Sequence, residues 1–262
     1  MIKMSKLQII VIAISCLLFV GLYFGGDTKP EDQEVIEKSR ALSATSTSIE
    51  SILTTAKSNL STDTSAMILS IEREYRAGSS DSSKVESLKQ LASIWYKAGR
   101  ADISGFYAEE VALVLNDESS WSIAGTTYML GAGKASEDKI RDFCYSNAEK
   151  AFENAISINP SNYAHKVNLA LCYIENPPDG NPMKGVLMLR EYNQQAPENV
   201  LVLTTLARLA LQTNQIDKAI ERLNTAIGLE PDNVKANCLL FEAYDRLGNK
   251  EKAAGYAAKC ID

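Results

Sequence analysis

Apolar side chains recur every three to four residues along most of the chain, and this spacing predicts amphipathic α-helices rather than strands. From residue 200 onward the helices are expected in pairs. The first helix of one pair aligns Leu203, Leu206, Ala207 and Ala210 on one face. The second helix aligns Ala219, Leu223 and Ala226. The same residue classes recur 34 residues later, where Leu240 takes the place of Leu206. The sequence therefore predicts a repeat of helix pairs.

Earlier copies of the pair are less regular. The best preserved opening is Trp121-x₂-Ala124-Gly125-x₂-Tyr128, followed on the second helix by Ala148, Phe152 and Ala155. A further copy begins at Tyr163, and a weaker one contains Leu88, Leu91 and Trp95. Most copies close with a proline, which biases the residue before it away from the helical region.

The period, the aromatic-x₂-small-Gly-x₂-Tyr run and the closing proline together resemble the tetratricopeptide repeat. The resemblance implies an all-α fold, an α-solenoid in which each helix pair buries its apolar face against the next. The implied repeat domain covers residues 85–262. Its units are residues 85–117, 118–162, 163–199, 200–233 and 234–262.

The same resemblance implies a binding surface. Proteins similar to this one bind segments of other proteins along a groove lined by the first helix of each unit. Carried over by position, the resemblance places these residues in the groove: Ser122, Thr126, Met129, Val167, Leu171, Ile174, Leu201, Thr204, Arg208, Leu211, Lys235, Glu242 and Arg246. Some family members clamp the carboxylate of chaperone tails, but Arg208 and Lys235 lack the matching Asn and Lys pattern here.

The amino terminus carries a long apolar run. Residues 7–26 contain no charged side chain, and at about 1.5 Å per residue they cover roughly 30 Å, the thickness of a bilayer core. We expect one uncleaved transmembrane helix. Lys3 and Lys6 precede it and acidic residues follow it, so residues 1–6 should be cytoplasmic. This topology predicts a bacterial inner-membrane protein whose repeat domain lies in the periplasm. A cleaved signal peptide and a lipoprotein modified at Cys16 are the alternatives.

Residues 27–84 are rich in Ser and Thr and connect the apolar run to the first unit. Helix periodicity nevertheless persists at Ile49, Ile52, Leu53 and Ala56, and again at Met67, Ile68, Ile71 and Tyr75. We interpret these residues as two polar helices, the first continuing from the membrane and the second capping the solenoid. A solvated, partly disordered tether is the alternative.

Two insertions depart from the repeat. In residues 130–147, Ser136-Glu137-Asp138 predicts the start of a helix. The apolar residues after this start extend the apolar face of the second helix of the unit. This face is expected either to pack on the neighbouring unit or to dock a partner. In the second insertion, Asn181 is the expected helix cap and Pro182 the first helical residue.

Composition argues against catalysis and against nucleic acid as a partner. The net charge is −6, whereas phosphate binding needs a basic surface. His165 and Cys172 are seven residues apart on one predicted helix, a rise of about 10.5 Å, which is too far for a catalytic dyad. One histidine and no Cys-x₂-Cys motif argue against a metal site. We therefore expect no enzymatic activity, no cofactor and no small-molecule ligand.

The cysteines of the repeat domain are expected to be buried thiols that pack as small apolar residues. A disulfide is the alternative in an oxidising compartment, although the sequence does not identify a pair. The aromatic residues at repeat positions are expected to pack between helices. A ligand-binding aromatic box is the alternative for Trp95, Trp121, Tyr128, Phe152 and Tyr173.

An anchor followed by repeats predicts a membrane-anchored scaffold or adaptor that binds protein partners or peptide segments beside the bilayer. The domain plan resembles single-span bacterial tetratricopeptide proteins that assist the Sec translocon or cytochrome c maturation. A permanent structural subunit of a larger membrane complex is the alternative.

Overall fold

The computed structural model describes residues 48–260, and these residues form twelve α-helices and no strand. The helices are α1 (Ile49–Ser58), α2 (Thr62–Ala77), α3 (Asp81–Lys97), α4 (Ala101–Leu115), α5 (Glu118–Lys134), α6 (Asp138–Ile158), α7 (Tyr163–Glu175), α8 (Lys184–Gln195), α9 (Val200–Gln212), α10 (Ile216–Leu229), α11 (Val234–Arg246) and α12 (Lys250–Ala257). Most helices pack chiefly on the helices before and after them in the chain. The prediction of an all-α helical repeat is confirmed for this part of the chain.

One turn recurs between successive pairs. Asn162, Asn199 and Asn233 have nearly the same backbone angles, with φ between −80° and −66° and ψ between 103° and 105°. Each side chain accepts a backbone N–H from the first turn of the next helix and so satisfies a donor that the helix itself leaves free. The prolines lie two residues earlier, at Pro160, Pro197 and Pro231. The repeat is therefore encoded in its turns as well as in its helices.

A second turn recurs inside three of the pairs. In each of these three turns one residue has a positive φ: Gly99 (78°), Asn214 (57°) or Gly248 (72°). In each case the following N–H donates back to the first helix, to the carbonyls of Trp95, Ala210 and Tyr244 respectively. Glycine and asparagine tolerate this left-handed conformation, so the chain can reverse directly after the first helix.

Small residues allow the two helices of a pair to cross closely. A Cβ atom at Gly125 would lie 2.7 Å from the ring of Phe152, and one at Gly185 would lie 2.2 Å from the carbonyl oxygen of Ala170. In the α9/α10 pair, Ala207 is fully buried in the same cluster as Leu223. The packing of these pairs therefore leaves no room for a larger side chain.

Buried tyrosines connect one pair to the next. The hydroxyl of Tyr128 on α5 donates to Glu109 on α4 at 2.6 Å, and Tyr173 on α7 donates to Glu149 on α6. Burial and the nearby carboxylate raise the pKa of both phenols above its usual value. Tyr128 and Tyr173 therefore pack between helices and do not form a ligand-binding box.

Helices α1 and α2 cover the start of the solenoid. Ile52 of α1 and Ile68 of α2 are buried in one cluster with Trp95 of α3. Lys57 and Glu72 join the two helices by an ion pair of 2.6 Å. The alternative of a disordered tether is therefore wrong for residues 48–84.

Two boundaries differ from the prediction in this region. Helix α1 begins afresh at Ile49, because Ser48 is extended and its side chain caps the first turn. It is therefore not a continuation of an earlier helix through that residue. The first repeat helix begins at Asp81 rather than at residue 85. The predicted membrane segment, residues 7–26, lies outside the described residues. None of the helices within 48–260 is long and apolar enough to cross a membrane.

The first insertion lengthens both helices of its pair. Helix α5 has 17 residues and α6 has 21. Phe143 packs edge-on against Tyr128 at 5.8 Å between ring centroids, and Cys144 is fully buried. Gly131 lies against the backbone of Asp102 at the start of α4. The extension therefore packs on the neighbouring pair, as the first of the two alternatives expected.

The second insertion forms a turn before α8. Lys184 donates its N–H to the carbonyl of Asn181 at 3.2 Å, and Met183 occupies the cap position. The predicted helix start at Pro182 is therefore wrong by two residues.

The cysteines divide into two classes. Cys144 and Cys172 are buried free thiols, as expected. Cys238 on α11 and Cys260 after α12 form a disulfide with their Cα atoms 4.7 Å apart. The prediction of buried thiols is wrong for these two residues, because α12 ends at Ala257 and the following turn brings Cys260 back to α11.

We predict that Gly185→Ala lowers the free energy of unfolding by about 1–3 kcal/mol, because the new methyl group overlaps the backbone of α7. Gly228→Ala is the matched control, since a Cβ atom there meets nothing within 4 Å. The control should be neutral or stabilise slightly, because alanine favours helix over glycine. Urea denaturation of both variants measures the difference, and equal effects would contradict the close crossing of α7 and α8.

Candidate functional site

The predicted groove residues lie on the first helices α5, α7, α9 and α11, but the structure divides them by exposure. Three are buried, and the other ten are half-buried or exposed. We call these ten the first-helix surface: Ser122, Thr126, Met129, Leu171, Ile174, Leu201, Arg208, Lys235, Glu242 and Arg246.

The prediction of an accessible groove position is wrong for the three buried residues. Val167, Thr204 and Leu211 are each 2% exposed. Val167 packs in a cluster with residues of α9, and Leu211 in a cluster with residues of α11. The hydroxyl of Thr204 donates to the carbonyl of Val200 in its own helix at 2.8 Å. The next pair therefore covers Val167 and Leu211, and Thr204 is buried with its hydroxyl bonded within its own helix, so none of the three is available to a partner.

The centre of the first-helix surface is apolar. Leu171 and Ile174 on α7 and Leu201 on α9 are half-buried and pack on the cluster that contains Val167. This packing holds the three side chains while part of each remains exposed to solvent. A preformed apolar surface of this kind binds an apolar side chain without first having to become ordered.

Two cations follow the apolar centre. Arg208 is half-buried on α9, and Lys235 lies on α11. Burial lowers the pKa of Lys235 below its usual value, and the charge of Arg208 lowers it further. Within the part of the chain that the structure describes, neither cation is paired with a carboxylate. This end of the surface therefore carries positive charge that an anion can neutralise.

The last two residues of the surface are already engaged with each other. Arg246 forms an ion pair with Glu242 and donates to the carbonyl of Leu211 at 2.8 Å. The hydrogen bond to Leu211 joins α11 to α9, so Arg246 has a structural partner and is less available than Arg208.

The opposite end of the surface, on α5, is polar. The hydroxyl of Thr126 donates to the carbonyl of Ser122 at 2.9 Å, and Met129 packs on the cluster around Tyr128. Ser122 borders an open pocket of about 560 Å³. The other lining residues are Asp117, Glu118, Ser119, Ile123, Asn162 and His165.

Glu118 is the centre of a hydrogen-bond network beside this pocket. Its carboxylate accepts from Asn159 at 2.8 Å, from Asn162 at 2.6 Å and from His165 at 2.6 Å. These three bonds, with Asn159 the largest contributor, lower the pKa of Glu118 to about 2. The network joins the start of α5 to the turn between α6 and α7 and to α7 itself.

The sequence analysis did not identify Glu118, Asn159 or Asn162. Asn162 carries a usable signal, because the same asparagine recurs as a cap at 199 and 233. The sequence contains no such signal for Glu118, since its three hydrogen-bond partners come from a turn and a helix that are distant in sequence.

Cys172, a candidate nucleophile in the sequence, is a buried thiol. Burial raises the pKa of the Cys172 thiol to about 12, and the charge of Glu149 adds to the shift. Among residues 48–260, no group of three or more His, Cys, Asp or Glu side chains could hold a metal ion.

Comparison with known proteins finds one family model that matches the end of the chain. Residues 204–261, which cover most of α9 and all of α10 to α12, match the family model described as tetratricopeptide repeat. This match confirms the sequence resemblance for the last two helix pairs. No curated protein matches the chain.

Several solved structures are similar at low identity. MamA protein has 15% identity and a TM-score of 0.41, and the match covers 67% of this chain and 89% of that chain. A double mutant of MamA RS-1 has 17% identity and a TM-score of 0.42, covering 68% and 92%. YrrB, described as a TPR protein with an unusual peptide-binding site, has 14% identity and a TM-score of 0.38, covering 67% and 84%.

We predict that Glu118→Gln lowers the thermal midpoint at pH 7, because the amide N–H₂ group opposes the donors around it. A carboxylate whose pKa is lowered from 4.5 to about 2 stabilises the fold above its unfolded pKa, and this stability is lost as the pH falls towards 2. The difference between wild type and variant should therefore shrink between about pH 5 and pH 2. Circular dichroism melts across this range measure it.

Glu198→Gln is the control, since Glu198 is exposed. It should not show this pH dependence. A difference for Glu118→Gln that stays constant down to pH 2 would contradict the network.

Proposed function

We propose that this chain is a non-enzymatic, membrane-anchored adaptor that binds segments of other proteins on its first-helix surface. One observation carries the proposal. The half-buried apolar residues Leu171, Ile174 and Leu201 pack on one cluster of α7 to α9. On the following first helices, α9 and α11, Arg208 and Lys235 lie close enough for their charges to interact. Such a surface favours a ligand that has both apolar side chains and a negative charge.

The ligand chemistry follows from this arrangement. Apolar side chains of the partner would cover Leu171, Ile174 and Leu201, and burial of apolar area contributes about 25 cal/mol per Å². A carboxylate of the same segment, from an acidic side chain or a chain end, would be bound by Arg208 and Lys235. Hydrogen bonds to a charged group are stronger than neutral ones. The partner is therefore a protein segment with apolar residues followed by a carboxylate.

Anchoring at a membrane is supported by the sequence of residues 7–26, an uncharged run long enough to cross a bilayer. The Cys238–Cys260 disulfide supports placing the repeats in an oxidising compartment, because disulfides persist in the periplasm and are rare in the cytosol. A domain on that side of the membrane would meet proteins during translocation or during assembly of a membrane complex.

Peptide binding to the full-length protein tests the proposed surface. Peptides selected from a random library on the wild-type protein would be synthesised with a free carboxylate and with a carboxamide end. We predict that Arg208→Ala weakens binding of the carboxylate peptides by about 10- to 100-fold. Leu171→Ala should weaken both peptide forms by about 10-fold. Fluorescence anisotropy measures each dissociation constant.

Arg190→Ala is the matched control, because Arg190 is exposed on the second helix α8 and carries the same charge. It should bind like the wild type. Circular dichroism checks that Leu171→Ala remains folded. Equal affinities for the wild type, Arg208→Ala and Leu171→Ala would place the peptide elsewhere and refute the proposal.

A further inference from the structure

We propose that the Cys238–Cys260 disulfide is a redox-sensitive clasp that holds the last helix, α12, on α11, and that a dithiol reductant releases this helix. The clasp is the disulfide together with the turn after α12, residues 258–260. It does not depend on the identity of any partner of the first-helix surface.

The last pair differs from the earlier pairs at one position of its first helix. Phe241 occupies the position that Gly125, Ala170 and Ala207 occupy in earlier pairs. Its side chain is 37% exposed and is not among the buried residues that join α11 to α12. Phe241 therefore adds little to the buried core of the last pair.

Helix α12 is short and buries few side chains. It has eight residues and buries only Ala253, whereas α10 has fourteen residues and buries three, Ala219, Leu223 and Ala226. Tyr256 stacks on Tyr244 with ring centroids 5.7 Å apart. The buried side-chain contacts of α12 are therefore fewer than those of α10.

The ion pairs around α12 are weak supports. Lys250 contacts Asp245 at 2.5 Å, and Lys259 contacts Asp232 at 3.8 Å. All four side chains are substantially exposed, and exposed ion pairs contribute little to stability. The disulfide is therefore the strongest connection between α12 and the rest of the fold.

Both cysteines of the clasp are half-buried, whereas Cys144 and Cys172 are fully enclosed. An external dithiol can therefore reach the disulfide, while the internal thiols are separated from it. Release of α12 would uncover the apolar face of α11, including Leu240 and Ala243, which are fully buried in the intact pair.

The chemical step is thiol–disulfide exchange with a dithiol reductant. One reductant thiolate attacks the sulfur of one cysteine, forms a mixed disulfide and expels the other cysteine as a thiolate, which takes up a proton. The second reductant thiolate then breaks the mixed disulfide, and the first cysteine leaves as a thiolate that is protonated. Two electrons and two protons pass to the protein, and the reductant becomes a disulfide.

Amide hydrogen exchange of the full-length protein, oxidised and after treatment with dithiothreitol, tests the clasp. Closing a loop of this size restricts the released state strongly, so we expect protection of α12 to fall about 100-fold on reduction. Protection of α11 should fall as well, while that of α5 should not change. The double variant Cys238→Ser/Cys260→Ser should behave like the reduced protein in both conditions.

Equal exchange of α12 in the oxidised and reduced proteins would overturn the proposal. So would peptide mapping without reductant that finds Cys238 and Cys260 unlinked, or a loss of protection that extends equally to α5.

Discussion

The fold depends on close approach between the two helices of each pair, which requires a small residue at one crossing position. Gly125 and Ala207 meet this requirement on first helices, and Gly185 meets it on the second helix α8. Because one helix pair is too small to bury its own apolar face, the pairs must stack on one another. The last pair carries the exposed Phe241 on its first helix and buries the small residues Ala243 and Ala253, and the Cys238–Cys260 disulfide adds a covalent link to this packing.

The same stacking determines which first-helix residues remain available to a partner. Val167 packs on the next pair and is buried, whereas Leu171, four residues further along the same helix, remains partly exposed. Thr204 is likewise buried, and Arg208, four residues after it, is partly exposed. Stacking also holds Arg208 near Lys235 against their mutual repulsion. The stacking of the pairs therefore keeps two cations close together on the first helices α9 and α11.

The sequence predicts the helices and their pairing well, because the 3.6-residue period, the asparagine caps and the prolines are local signals. The unit boundaries 118, 163, 200 and 234 agree with the observed helix starts within one residue. Burial at Val167 and Leu211 could not be predicted in this way, since it depends on how closely the next pair approaches. The disulfide was missed for a related reason. Its formation requires α12 to end before Cys260, and the helical period alone gives no sign of that end.

We propose above that partners bind on the first-helix surface, and crosslinking tests this directly. A photo-crosslinking amino acid is placed at Leu171 of the full-length protein in its native cells. The same amino acid at Arg190, on the second helix of the pair, is the comparison. We expect adducts with other proteins from position 171 and none of these adducts from position 190. Identical adducts from both positions, or none from position 171, would show that partners do not bind on this surface.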